Sequence, residues 1–582
     1  FLGPNDAVPA GDPGRQNSSL QATPTTLDFG AQPVGSSHAA QSVTLKNSGS
    51  TAVTVNGISS DSSAFRWRGP SLPFTLNPSQ VAKLLVIFSP KTETTQSGQL
   101  SIERNGSATP LKIALTGRGQ GTSSLYTAAT DLAVRAEPAL PTLGAAGSQL
   151  QDPTFGAWMV RVTDANTRPD KPGKGYGTPN SSEANVWNAN ATKFYVQDFD
   201  GGVIPYSFNP ANLSVGRLGN TGNGSGGLVV PLRASPSFSY VDADVLYGFP
   251  LAGGLAFSAY RFSSDSVSSV HNPTSCVASL TGTPGEISVS GDDQRLASAL
   301  GGSAGSTTNF IIYVYDKTKG CRWYNTTTGE VGGAWGSNGN INTPARYRLQ
   351  NARLSKDGGY VRIETMTCTT TCEAYYLWAL DSLELQACDA NEPGYCALSQ
   401  AAGYSHLINH GQVNDGMDVL KRSLVDAETF SHLIEPPLTP TQRAAAVSLS
   451  WNNARSDRLN PVAATTFRKD GARAQRPWDN EVIAIRTDGV DTTVWRFCHT
   501  RTTVSDVRMT PRGNISQDGQ FFAFTSNWEG TVGGGRADVF VVELRSAGTP
   551  PPSDTTAPLI SGVSASGITS TGATISWTTN EA

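Results

Sequence analysis

The stretch ISQDGQFFAFTSNW, Ile515 to Trp528, sets a Ser-x-Asp-Gly turn directly ahead of an alternating aromatic run. Asp-Gly turns a chain tightly, because glycine tolerates positive φ and the Asp oxygen bonds nearby backbone amides. The run behind it, QFFAFTS, puts successive side chains on opposite faces of a strand. Further copies stand at ISVSGDDQRLASAL (287–300) and ARLSKDGGYVRIET (352–365). Looser ones are ANVWNANATKFYVQDF (184–199), ASPSFSYVDADVLYGF (234–249), VSLSWNNARSDRLNPVAATT (447–466) and GYSHLINHGQVNDGMDVL (403–420). Their starts fall near 187, 236, 288, 354, 405, 449 and 515, with gaps of about 44 to 66 residues. That is the period of four-stranded propeller blades with loops of varying length.

Composition agrees with strands. Only 15% of the 582 residues are charged, while Gly numbers 60, Pro 35, Trp 11, Tyr 16 and Phe 21. Such a chain suits short strands and many turns. No 3.6-period stripe of the kind a long helix needs is present. The expectation is an all-β chain. Net charge is −4 with no basic run, which excludes the electrostatic footprint of a nucleic-acid binder. The longest apolar runs, LLVIF (84–88) and FIIYVY (310–315), are strand-length and far short of the roughly 20 residues that span a bilayer. The sequence starts at Phe1 without Met, so an upstream segment is expected to have been removed or left out. The polar FLGPNDAVPAGDPGRQ that follows excludes a type IV pilin start, which continues as a long apolar helix.

Five parts are expected. Residues 1–20 form a Gly/Pro/Asn-rich extended tail. Residues 21–120 hold closely spaced alternating strands such as SVTLKN and AVTVNGI, the size of an immunoglobulin-like sandwich. Residues 121–546 form the propeller, with seven blades expected, and AWMVRVTDAN (157–166) is a strand that can close the ring against the last blade. Residues 547–556 are a Pro/Ser/Thr linker. Residues 557–582 supply two further strands, too few to bury a sandwich core alone.

Family likenesses attach to three of these parts. Leu27-Asp28-Phe29-Gly30, Val34-Gly35, Leu45-Lys46-Asn47-Ser48-Gly49, Phe88-Ser89-Pro90 and Leu115-Thr116-Gly117 resemble the ASH-type, choice-of-anchor D family of Ig-like domains. That resemblance implies a structural or interaction module without catalytic residues. The turn-led strands, each followed by further strands and an acidic turn, resemble TolB/WD-like propellers in pattern. Pro558, Ile560, Val563, Ala573, Ile575 and Trp577 stand where the early core residues of a fibronectin type III domain would, so that 557–582 resembles its first two strands.

Few residues point to chemistry. His406 and His410, with Asp415 and Asp418 after them, would share a face and bind a metal if they lay on a helix. Gly411, Asn414 and Gly416 argue against a helix, and the competing reading is a structural role near the central channel of a propeller, bonded to backbone. Trp451, Asn452, Asn453, Arg496, His499 and Arg501 form a polar-aromatic set that could line a sugar site, with rings stacking on the sugar and amides bonding its hydroxyls. The same set equally suits packing between blades. Among the seven cysteines, Cys388 and Cys396 make the best disulfide pair, Cys368 lies near Cys372, and Cys276 and Cys321 are further candidates. Bonds of this kind imply an oxidising compartment. Cys498, in VWRFCH, is expected to be a small core residue.

The turns have Asp and Gly adjacent, unlike sialidase Asp-boxes, and no Gly-x-Ser-x-Gly elbow or Walker loop is present. No cofactor is expected beyond a structural calcium. Asn17, Asn105, Asn180, Asn190, Asn212, Asn223, Asn325 and Asn514 stand in Asn-x-Ser/Thr triplets, compatible with surface positions. The reading that results is a secreted or cell-surface adhesion, matrix or scaffold protein with protein or glycan partners. Its polar N-terminal tail and two-stranded C-terminal segment fit strand exchange in a homopolymer. A carbohydrate-active propeller, lyase or hydrolase, is the alternative, and a periplasmic TolB-like scaffold a third.

Overall fold

The computed structural model describes every residue except 1–19, 34–40, 71, 91, 93, 121–125, 219–228, 302–309, 342–348, 366–374, 388–398, 414–415, 426–429, 435–445, 469–475, 489–491, 505, 545–559, 567–573 and 580–582. Among the described residues there is no α-helix, only strands and short 3-10 turns, so none is long and apolar enough to cross a membrane.

Among the described residues the first unit has nine strands: β1 Leu20–Thr23, β2 Thr26–Pro33, β3 Gln41–Asn47, β4 Val53–Ser60, β5 Phe65–Arg68, β6 Phe74–Leu76, β7 Val81–Phe88, β8 Thr95–Arg104 and β9 Leu111–Gln120. They make two sheets, ordered β1-β3-β7-β5 and β2-β9-β8-β4-β6, with β2 and β9 parallel. Alternate residues face inward around Phe29, Phe65 and Phe88, whose ring centroids lie 4.9–5.9 Å apart. The family-like motifs have local physical reasons here. A Cβ on Gly117 would sit 2.5 Å from the Phe88 ring, so the strand can approach that ring only without a side chain. Asn47 donates from Nδ2 to the carbonyls of Thr51 and Leu76 and accepts from the Gly49 N–H, tying the turn to the neighbouring sheet.

Seven further antiparallel sheets of four or more strands follow among the described residues. Six lie in chain order within 176–217, 232–271, 288–340, 349–387, 399–434 and 446–499 (blades 1 to 6). Blade 7 joins Gly513–Ile515, Phe521–Ser526 and Asp538–Glu543 to Trp158–Arg161 and Gln149–Gln151 from the start of the ring. The expected closing strand therefore does close it, with Met159 opposite Val542 and Arg161 opposite Phe540. Inside blade 7 the buried Asp538 accepts from Arg161 at 2.6 Å and Arg536 at 2.7 Å, so both guanidiniums have a carboxylate.

Apolar clusters fill every junction. Blades 7, 1 and 2 share one around Trp187, and the remaining five junctions each have their own. QFFAFTS shows how alternation builds the ring. Phe521 and Ala523 pack toward Trp187 of blade 1, while Phe522 and Phe524 pack toward Trp495 and Phe497 of blade 6. The remaining hairpin, Ile560–Ser566 with Thr574–Thr579, is a separate two-stranded sheet.

The turns behind the repeat share one hydrogen-bond pattern. Ser516 Oγ donates to Asp518 Oδ1 at 2.5 Å and accepts from the Phe521 N–H at 3.0 Å, while Asp518 accepts from the Gln520 N–H at 3.0 Å. Ser355, Asp357, Gly359 and Tyr360 repeat it, as do Ser290, Asp292, Gln294 and Arg295. The fourth residue is left-handed each time: Gly519 at φ 74°, Gly358 at 71° and Asp293 at 60°.

Candidate functional site

The residue between Ser and Asp in these turns faces the axis of the ring. Gln517 donates from Nε2 to the carbonyls of Trp187 and Ser239 at 3.1 and 3.0 Å. Lys356, at the equivalent place in blade 4, reaches Tyr240 of blade 2 and Asn452 of blade 6. Its Nζ donates to the Tyr240 hydroxyl and, at 3.3 Å, to Asn452 Oδ1. Tyr240 also donates to Asn452 Oδ1 at 3.0 Å, and Asn452 donates from Nδ2 to the Ala184 carbonyl at 3.0 Å. Arg455 partly covers this end, bonding Gln517 Oε1 at 2.9 Å.

The acidic groups beside this cluster are paired. Glu183 accepts from Arg362 and from the Ala402 N–H at 2.8 Å. Glu286 accepts from Arg353, from Asn351 at 2.9 Å and from Ser235 at 3.0 Å. Among the described residues no carboxylate bonds Lys356 in this way, and burial pushes its ammonium down to about 7, with Glu183 opposing and Arg455 and Arg353 reinforcing. Burial likewise pushes the Tyr240 hydroxyl far up, so it remains a donor at neutral pH.

Glu183, Ser237, Tyr240, Arg353, Lys356 and Asn452 enclose about 20 Å³ of free space. One ordered water needs about 10–15 Å³, so such a water fits. Small-molecule pockets occupy about 300–1,000 Å³, so a sugar ring does not.

The residues singled out in the sequence are dispersed. Trp451, Asn452 and Asn453 are all buried, and the side-chain donor of each is used internally: Trp451 Nε1 donates to the Asn460 carbonyl at 2.7 Å, Asn452 Nδ2 to that of Ala184 at 3.0 Å and Asn453 Nδ2 to that of Pro461 at 3.0 Å. No aromatic face of this group is open to a sugar. Arg496 lies on the outer strand of blade 6, bonding Glu481 at 2.6 and 2.8 Å and the Ala133 carbonyl at 2.8 Å. It anchors residues 126–141, an extended strap also held by Arg501 on the Pro138 carbonyl and Trp528 on that of Pro141. His499, buried nearby, is held by Asp152 through its backbone N–H at 3.0 Å and Nδ1 at 3.3 Å.

His406 and His410 lie on the strand His406–Val413, where four residues span about 13 Å, so they cannot meet at one metal. His406 Nδ1 instead pairs with Asp457 Oδ2 at 3.0 Å, and His410 is buried. Asp415 lies outside the described residues, as do Cys368, Cys372, Cys388 and Cys396. Among the described residues no three His, Cys, Asp or Glu side chains come together to hold a metal. Cys276 and Cys321 form a disulfide between the turn that follows blade 2 and the fourth strand of blade 3, Gly320–Asn325, and Cys498 is a buried free thiol. The channel group of Lys356, Tyr240, Glu183 and Arg353 was not singled out in the sequence. Its one local signal is a lysine inside a Ser-x-Asp-Gly turn whose x position faces inward.

The fold and this site thus define an all-β chain with an Ig-like sandwich and a seven-bladed ring of propeller type. The family described as Transmembrane protein 131-like N-terminal matches residues 20–103, within the sandwich. No curated protein matches the chain. Among solved structures, the ASH / PapD-like domain 7 of human CEP192 is 15% identical, covering 21% of this chain and 99% of that one at a TM-score of 0.16. TolB from Acinetobacter baumannii is 12% identical over 49% of this chain and 63% of its own, at 0.28. A prolyl endopeptidase is 11% identical over 67% of this chain and 52% of its own, at 0.33.

Proposed function

We propose that the chain is a scaffold or interaction protein of the cell exterior, its ring a rigid body that displays the flanking strands to protein partners. The observation that carries this reading is the filled channel: its buried polar groups bond one another and leave room for one water. A disulfide between two blades supports an oxidising compartment. We divide the chain at the boundaries expected from its composition, with a tail to residue 20, a sandwich to 120, the ring to 546, a linker to 556 and a terminal module to 582.

The test combines location with turnover. Protease shaving of intact cells should release peptides of the chain. The purified protein should bind a protein partner from the cell surface while releasing no product from polysaccharide or peptide substrates. Multiple turnover of either substrate class would overturn the reading in favour of an enzyme.

A further inference from the structure

We propose that Lys356 and Asn452 join in an intramolecular isopeptide bond across the channel, linking blade 4 to blade 6.

Four features place the reaction. First, Lys356 Nζ lies 3.3 Å from Asn452 Oδ1, which sets the amine beside the side-chain carbonyl it would attack. Cγ is bonded to that oxygen at about 1.23 Å and so lies within about 4.5 Å of Nζ, and reaction requires the pair to close to about 3–3.5 Å. Second, the amide is oriented and polarised. Its Nδ2 must point to the Ala184 carbonyl, a pure acceptor, so Oδ1 is the atom facing Lys356 and Tyr240. The Tyr240 hydroxyl donates to that Oδ1 at 3.0 Å, a donor aimed where negative charge would develop.

Third, the amine is of the nucleophilic kind. Among the described residues Lys356, itself buried, donates only to neutral acceptors, the Tyr240 hydroxyl and Asn452 Oδ1, and a buried ammonium without a carboxylate is costly. Desolvation is a recognised way of activating a lysine. Fourth, the adjoining space of about 20 Å³ has room for a water to shuttle a proton or for ammonia to depart. Glu183 lines that space as its carboxylate.

Every atom is accounted for within the chain. The Nζ lone pair attacks Cγ, and the carbonyl electrons move onto Oδ1, held by the Tyr240 hydroxyl. A proton passes from Nζ to Nδ2 through the shuttling water. The carbonyl re-forms, the Cγ–Nδ2 bond breaks and ammonia leaves. Nothing is oxidised or reduced. Lys421 is an internal contrast: it is also buried, but its Nζ donates to the backbone carbonyls of Asp457 at 2.5 Å and Thr487 at 2.8 Å.

Mass spectrometry of the denatured, purified full chain tests the proposal. The expected wild-type mass is lower by one ammonia, and proteolysis should yield a branched peptide that fragments as the Lys356 segment joined to the Asn452 segment. Succinimide formation at Asn-Gly also loses ammonia, so the branched peptide is the deciding signal. Lys356→Arg and Asn452→Ala should each lack it, and Tyr240→Phe should slow its appearance on refolding. Formation should also slow as pH is lowered through about 7, where the amine protonates. Recovery of the Lys356 and Asn452 peptides from wild-type protein only in linear form would overturn the proposal, whether or not the variants fold.

Discussion

Replacing Asp293 by glycine, the residue used at the same place in the other two turns, should destabilise the ring although it relaxes the backbone. Asp293 is left-handed at φ 60°, and an L-residue there costs about 1–2 kcal/mol, less for Asp. Glycine returns much of that gain by loosening the unfolded chain, a term of about 0.4–1 kcal/mol. The carboxylate is meanwhile a clamp between blades 2 and 3. It accepts from Ser239 Oγ, from the Tyr240 N–H at 2.9 Å and from the Tyr247 hydroxyl at 3.3 Å, all at a buried position. Bonds to a charged group contribute about 1.5–3 kcal/mol each. Burial pushes this carboxyl up, against the pull of Ser239 and Tyr240, so desolvation offsets part of that sum. A net loss of about 2–4 kcal/mol is expected for Asp293→Gly, and about 1 kcal/mol for Asp293→Asn, which keeps an acceptor oxygen. Hydrogen exchange at Tyr240 and Tyr247, with urea unfolding alongside, reads the effect where it arises. A glycine variant as stable as wild type would refute the clamp.

Asp316 supplies a pH test. Burial opposes its ionisation, yet the Arg295 guanidinium and the N–H groups of Thr318 and Lys319 hold its carboxyl at about 2. Its folded value is therefore below the ordinary one near about 3.9, so its contribution is complete above that value and lost as pH falls through about 2. The stability gap between wild type and Asp316→Asn should close over that window; an equal gap at both ends would show that the ionised bonds contribute nothing. The Cys276–Cys321 bond spans 45 residues, for which loop closure gives about 4 kcal/mol. The double serine variant should lose about that much protection from exchange in blades 2 and 3, and unchanged protection would count against it.

What could be read in the sequence was what rests on neighbouring residues. The Ser-x-Asp-Gly turn is made by bonds between residues two to five apart, so its chemistry is visible in any short window. AWMVRVTDAN could be recognised as a strand for the same reason. The channel group could not, because Lys356 is 116 residues from Tyr240 and 96 from Asn452, and only the ring brings them together. Trp451 and Asn453 show the converse. Their types suit a sugar site, and burial, which composition does not report, decides that they pack instead.

Pairing Arg161 with Asp538 joins residues 377 apart, and this has a consequence for synthesis. A nascent chain makes the strand Trp158–Arg161 early and must wait for Asp538–Glu543 before that strand gains its inner neighbour. Until then it offers an open edge, and blade 6 an uncovered apolar face, to any other chain within reach. Translation that stalls before residue 543 should therefore leave a product prone to clump, whereas a break inside one of the outer loops of a finished ring should be tolerated.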